Sequence, residues 1–232
     1  MADTPAHCDP HLDIVRFEGK LPHFSQSLNS RRKIKIVAIG SSSTAGENDV
    51  IPYPHRLELA LRKRFPDRMI DVVNRGIGGQ EAPEEVPRFE TDIIAEEPSL
   101  VIWQVGTNAI AHRELYDPGR VAATIATGLN WLKELRADVV LMDLQYAPAL
   151  LDREKDTRLM VSLIAAAART AAVNLFPRFA LMERWRTQDG IPMDMLISPD
   201  RLHQTDYATN CVTQALDGAI AAALVQVPPT SA

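Results

Sequence analysis

Apolar residues along this chain switch repeatedly between two spacings. From Lys33 to Gly40 the run Ile34, Ile36, Val37, Ala38, Ile39 is short, β-branched and closed by a glycine, the pattern of a strand buried on both faces. Tyr53, Leu57, Leu61 and Phe65 then recur every fourth residue, predicting a helix with one apolar stripe that ends at Pro66-Asp67. Met69 to Asn74 predicts a second strand, broken by Arg75-Gly76-Ile77-Gly78-Gly79-Gln80. Glu81 to Glu97 predicts a second helix with Val86, Phe89 and Ile93 on its buried side and acids in its first turn, which the positive end of a helix favours. Pro83 and Pro87 fall inside that span, so its regular part is expected to begin only near Pro87.

Leu100 to Val105 predicts a third strand, closed by Gly106-Thr107-Asn108. Val121, Ile125, Leu129 and Leu132 mark a third helix, and Asp138 to Leu144 a fourth strand. After a loop over 145–153 carrying Tyr146 and Pro148, an Ala-rich helix over about 154–172 leads to a short strand at Val173 to Phe176. Leu181, Met182 and Trp185 predict a short helix, Gly190, Pro192 and Pro199 a loop, and Ala208, Cys211, Val212, Ala215 and Ala219 the closing helix. Strand and helix alternate with no internal repeat and no break in composition. That specifies a parallel, helix-covered sheet: a flavodoxin-like three-layer α/β/α sandwich of five strands in the order 2-1-3-4-5. Residues 1–30, rich in Pro, His and polar residues, are expected to form an irregular leader, 31–227 one α/β domain, and 228–232 a tail.

Composition narrows the partners. The chain has 232 residues, enough for one domain with a large core. Its net charge of −5, with no basic stripe, argues against nucleic acid as a partner. Cys8 and Cys211 support neither a disulfide framework nor a Cys-rich zinc site, and leave a single bridge open. No run approaches the ~18 apolar residues of a membrane helix. Residues 1–29 lack the basic-then-apolar plan of a signal peptide. A removed leader would leave the same sequence, so a cytoplasmic and a periplasmic or secreted location both stay open.

In the expected order, strands one and three are neighbours at the switch point, and the loops after them open into one crevice. Ser42 follows strand one and Asn108 follows strand three, while the Gly76 to Gly79 loop reaches the same rim from strand two. Just before the last helix stands Asp200-Arg201-Leu202-His203. An Asp three residues ahead of a His, in a turn, can bring its carboxylate to Nδ1 while Nε2 points into the crevice. Each piece alone has an ordinary role as a helix cap, a turn residue or a surface histidine. In this chain order and on one crevice they are the parts for acyl transfer through a serine.

Over about residues 33–205 the chain resembles the SGNH, or GDSL-type, hydrolases, a family of esterases and lipases. Its first block, Gly-Asp-Ser-x-x-x-Gly, resembles Gly40-Ser41-Ser42-Ser43-Thr44-Ala45-Gly46, and its second resembles Asn74 to Gly79. Its third, Gly-x-Asn-Asp, is similar to Gly106-Thr107-Asn108-Ala109, and its fifth, Asp-x-x-His, matches Asp200 to His203. Ser41 stands where the family has Asp, and Ala109 where it has an acid; neither is a catalytic member, so the implied mechanism survives, while the hydrogen bonds with which those acids brace the two loops are not carried over. The resemblance implies a serine esterase with Ser42 as nucleophile, His203 as base and Asp200 as the residue that orients it. It further implies an oxyanion hole of the Ser42 and Gly79 N–H groups and the Asn108 amide, with no cofactor and no metal. The expected substrate is a small-molecule or glycan ester with a short acyl group, and Arg75, His112, Arg113, Tyr146 and the Trp185 to Pro199 segment are expected at the rim. Two alternatives stay beside this reading: an acyltransferase using the same triad, and a flavodoxin-like phosphate- or FMN-binding module. Nothing in the sequence indicates an oligomeric state.

Overall fold

The computed structural model describes residues 8–47 and 49–225. Five strands form one sheet: β1 (Lys33–Gly40), β2 (Met69–Gly76), β3 (Leu100–Gln104), β4 (Asp138–Met142) and β5 (Asn174–Phe176). All pair in parallel, in the order β2-β1-β3-β4-β5, as the alternating pattern predicts. Every residue of β3 and β4 is buried, which is why both read as apolar runs apart from Gln104 at the end of β3 and Asp138 at the start of β4. The edge strand β2 is half exposed and buries only Ile70 and Val72.

Six longer helices surround the sheet: α1 (Pro22–Ser30), α2 (Tyr53–Arg64), α3 (Pro118–Leu132), α4 (Glu154–Ala171), α5 (Arg178–Thr187) and α6 (Asp206–Ala222). Helix α3 packs on α4, and α2 packs on α6 and β2. No helix among the described residues is long and apolar enough to cross a membrane.

Two expectations need correction. The described part of the segment expected to be an irregular leader is not irregular: it carries a turn of helix at Leu12–Val15 and the whole of α1. Leu21, Phe24 and Leu28 are buried at helical spacing, and Val15 and Phe17 enter the same core. Polar bonds hold the segment further: Phe24 N–H donates to Asp138 (2.8 Å), Leu21 N–H to the Ala223 carbonyl (3.1 Å), and a disulfide joins Cys8 to Cys211 in α6. The expected tail at 228–232 lies outside the described residues.

The helix expected over 81–97 is the second correction. It starts at Ala82, not near Pro87, because Glu81 and Glu84 form a capping box at its N-terminus. It then breaks into a 3₁₀ turn at Val86–Arg88, a helical turn at Phe89–Asp92 and another 3₁₀ turn at Ile94–Glu96. Pro87 has no N–H to give to the carbonyl four residues back, so the regular helix cannot run through it.

Candidate active site

The serine loop leaves β1 at the carboxyl end of the sheet and winds at once into a helical turn, Ser42–Ala45. Ser41 starts it, its carbonyl accepting from the Thr44 and Ala45 N–H groups at 2.9 Å each. Gly76 of β2 crosses so close behind this turn that a Cβ there would sit 2.2 Å from the Ala45 nitrogen. Asn74 closes the same contact by donating to the Thr44 carbonyl at 2.8 Å. The absent Asp at position 41 has a replacement in Gln104, the last residue of β3, whose Oε1 accepts from the Ser41 N–H (3.1 Å) and hydroxyl (3.0 Å). A glutamine closing an otherwise apolar strand was the available signal for it.

The Asp200–His203 turn is built with equal definition. Arg201 takes the left-handed conformation at φ +66°, costly for a residue with a Cβ, and the surrounding bonds hold it there. Asp200 Oδ1 accepts from the N–H groups of Leu202 and His203 at 2.9 Å each, and the Ser198 N–H donates to the His203 carbonyl at 2.8 Å. An antiparallel bridge between Ile197 and Gln204 closes the base of the loop. Partial burial opposes the charge of Asp200, yet the two N–H groups and the imidazole hold its carboxyl below the usual carboxylate range.

These two loops meet. His203 Nδ1 lies 2.7 Å from Asp200 Oδ2, and His203 Nε2 lies 2.9 Å from Ser42 Oγ. A carboxylate can only accept, so the imidazole proton sits on Nδ1 and Nε2 is left as acceptor for the serine hydroxyl. Asn108 lies in the helical turn Thr107–Ala111 after β3, buried, with Nδ2 donating to the Gln80 carbonyl at 2.7 Å. One amide hydrogen of Asn108 is then left for another acceptor. The N–H groups of Ser42 and Gly79 donate to no group among the described residues. Gly79 itself takes φ +79° with open space where a Cβ would stand.

A buried polar chain runs beneath the site and was not anticipated. Gln145 accepts from the Thr107 hydroxyl (2.9 Å) and donates to the Leu202 carbonyl (3.0 Å), linking the Asn108 turn to the His203 turn. Arg178, fully buried at the start of α5, donates to Gln145 (2.9 Å), to Gln204 (3.1 Å) and to the Asp143 carbonyl (3.0 Å). Burial pushes its guanidinium down to about 10, against the pull of Asp143, so it stays charged at neutral pH. Burial likewise pushes the Asp143 carboxyl up to about 7, against the Phe179 N–H and the Arg178 charge.

The expected rim is only partly realised. Trp185 is wholly buried and donates to the Asp9 carbonyl at 2.7 Å; its large apolar surface belongs to the core. Arg75 is taken up in an ion pair with Glu96 at 2.5 Å, and Arg113 in one with Asp156 at 3.3 Å. Tyr146 is half-buried against the Phe179 ring, with centroids 5.2 Å apart. His112 faces Glu114 at 3.4 Å. Among the described residues no group of three or more His, Cys, Asp or Glu side chains could hold a metal ion.

The model of the Non-GDSL lipase-like family matches residues 7–226. The chain belongs to that family. Its sequence resembles GDSL-type hydrolases, but the family is the non-GDSL one, in keeping with Ser41 where a GDSL block has Asp. The family match takes in the whole described part of the N-terminal segment, from Cys8, that the structure folds into the core.

Members of this fold with solved structures include an acetylxylan esterase from Geobacillus stearothermophilus, 20% identical with a TM-score of 0.67, covering 81% of this chain and 94% of that one. Another is LAE5, an α/β hydrolase enzyme from the metagenome of Lake Arreo, Spain, 19% identical with a TM-score of 0.68, covering 81% of this chain and 96% of that one. At such identities the likeness is one of fold. Over 78 residues the chain is 35% identical to the lipoprotein YqeF of Bacillus subtilis (strain 168), a stretch amounting to 33% of this chain and 32% of that protein. The alignment thus spans about a third of that relative's length.

Proposed function

We propose that this member of the Non-GDSL lipase-like family is a carboxylic ester hydrolase that works through an acyl-enzyme on Ser42. The observation that carries the reading is the line of contacts from Ser42 through His203 to Asp200, at 2.9 and 2.7 Å. As Ser42 Oγ attacks the ester carbonyl, its proton passes to His203 Nε2, and the charge that develops on the imidazole is met by Asp200. The carbonyl oxygen becomes an oxyanion facing the Ser42 and Gly79 N–H groups and the free amide hydrogen of Asn108. His203 gives its proton to the departing alcohol oxygen as the C–O bond breaks. Water, losing its proton to the same nitrogen, then releases the acid and restores the serine.

The substrate proposed is an ester of a short acyl group, acetyl above all, on a polar alcohol such as a glycan. The small open cleft beside Ser42 and His203, lined also by Glu47, Val50, Pro52 and Gln204, has a volume of about 20 Å³, and its mixed polar and apolar wall supplies no extended groove for an alkyl chain. The structural neighbour from Geobacillus stearothermophilus is by its name an acetylxylan esterase, which supports the same choice.

The test is a panel of p-nitrophenyl and acetylated glycan esters, run with wild type, Ser42→Ala and Ser43→Ala, together with mapping of a fluorophosphonate adduct. Turnover should vanish in Ser42→Ala alone and the adduct should lie on Ser42. An adduct on Ser41 or Ser43, or a Ser42→Ala protein with near-normal turnover, would overturn the reading. Alcohol and glycan acceptors added to the same assay separate hydrolysis from acyl transfer.

A further inference from the structure

Two buried carboxyl groups stand behind the proposed oxyanion donors, and the mechanism above uses neither. Glu81 follows Gly79 by two residues and is 1% exposed; Glu85, one helical turn on, is 0% exposed. Glu81 is surrounded by backbone donors from two different loops. Its Oε1 accepts from the N–H groups of Ala82 (3.1 Å) and Gly106 (2.9 Å), and its Oε2 from those of Gly106 (3.0 Å) and Ala109 (3.1 Å). Gly106 can turn its N–H that way because it takes φ +97°, which favours glycine, and a Cβ there would press to 2.5 Å from Ile164.

Asn108 lies inside the turn that this carboxylate holds, between the Gly106 and Ala109 donors. Its side chain in turn grips the Gln80 carbonyl, between Gly79 and Glu81. One carboxylate and one amide therefore fasten the Gly79 loop to the Asn108 turn. Ala109 contributes no acid of its own, so Glu81 is the anion available to organise those N–H groups.

We propose that Glu81 is a positioning residue that sets the Gly79 N–H and the Asn108 amide in one frame for the oxyanion. This rests on the esterase reading given above. Glu85 lacks such donors: its Oε2 accepts from Trp103 Nε1 at 2.6 Å and its Oε1 has no partner among the described residues. Burial raises both carboxyls; at Glu81 the converging backbone N–H groups oppose that rise, whereas at Glu85 the charge of Glu81 adds to it.

Glu81→Gln keeps the shape but turns an amide N–H₂ against backbone N–H groups, so the Asn108 turn must shift. A displacement of about 1 Å costs on the order of 10²-fold in rate. The experiment measures kcat and KM for p-nitrophenyl acetate in wild type, Ser42→Ala, Asn108→Ala, Glu81→Gln, Glu81→Asp and Glu81→Gln/Asn108→Ala, with thermal melting of each. Glu81→Gln should lose roughly 10²-fold in kcat with KM within about threefold, and Glu81→Asp, which keeps the charge on a shorter arm, roughly tenfold. Because part of what Glu81 does passes through the Asn108 amide, Glu81→Gln should cost clearly less in the Asn108→Ala background than in wild type, the remainder reporting on the Gly79 N–H.

Wild-type kcat in a folded Glu81 variant, or losses that multiply with that of Asn108→Ala, would overturn the proposal. If Glu81→Gln does not fold, Glu81→Asp decides by the same two criteria; if neither folds, Glu81 is a folding residue and the proposal is wrong. Turnover that survives Ser42→Ala sinks the esterase reading instead, whereas a dead Ser42→Ala beside normal Glu81 variants sinks only the role given to Glu81.

Discussion

Ser42 and His203 are 161 residues apart in the chain and their side chains meet at 2.9 Å. The imidazole is oriented for that contact from its far side, where Asp200 Oδ2 accepts a hydrogen bond from Nδ1–H while Oδ1 is occupied by two backbone N–H groups. Asp200→Asn should keep its oxygen on those N–H groups and so present an amide N–H₂ to Nδ1, favouring the wrong tautomer. The expected loss is about 10⁴-fold in kcat, the scale seen when a triad carboxylate becomes an amide. Steady-state kinetics beside a melting curve check it; a loss under tenfold in a well-folded variant would remove Asp200 from the mechanism.

Acyl length should be read in kcat/KM. Long chains need an extended apolar groove to realise about 0.8 kcal/mol per buried CH₂, and the cleft of about 20 Å³ beside Ser42 supplies none. Across acetyl, butyryl, octanoyl and palmitoyl esters, kcat/KM should be highest for acetyl and fall steadily. A rise with length would redirect the assignment towards a lipase.

Reduction of the Cys8–Cys211 bond should loosen the N-terminal segment. The bridge closes a loop of 203 residues and anchors a segment whose Val15, Leu21 and Phe24 are fully buried. Loss of a bridge of this kind costs about 2–5 kcal/mol, which in a chain of this size lowers Tm by roughly 4–20 °C. Wild type melted with dithiothreitol should match Cys8→Ser/Cys211→Ser melted without it. Identical melting with and without reductant would show that the bond contributes nothing.

Asp143 should make the fold less stable as pH rises towards neutrality. Its carboxyl is pushed up to about 7 by burial, whereas in the unfolded chain an Asp titrates near 3.9. Between those values the unfolded chain has released the proton that the folded protein keeps. The stability this provides is therefore full below about pH 4 and lost as pH rises through about 7, a change on the order of 4 kcal/mol. Asp143→Asn keeps an acceptor for the Phe179 N–H, now 2.9 Å from Asp143 Oδ1, and should flatten Tm between pH 4 and 7. Parallel pH profiles for the two proteins would refute the assignment.

The order of the sheet and the placing of Ser42, Asn108, Asp200 and His203 were legible in the sequence because they depend on local pattern. Apolar runs closed by glycine mark strands that end at one edge of a parallel sheet, and an Asp-x-x-His spacing fits within a single turn. Part of the N-terminal segment was legible too: Leu21, Phe24 and Leu28 have helical spacing, masked by the polar residues around them.

Other features depend on contacts that no spacing encodes. Gln104, Gln145, Glu81, Glu85 and Arg178 are polar residues in sequence and core residues in the structure, met there by hydrogen-bond partners from distant strands and loops, with one oxygen of Glu85 the exception. Trp185 and Arg75 were misplaced at the rim for the converse reason, since partners from remote segments, Asp9 and Glu96, claim them. The bridge between Cys8 and Cys211 belongs with these, because only the packing of the segment around Leu12–Val15 against α6 brings the two sulfurs together. Sequence alone determined that Ser42, Asn108 and the Asp200–His203 turn follow or precede elements of one parallel sheet; tertiary structure decided which side chains meet and what holds them, since the bracing groups come from residues far apart in the chain.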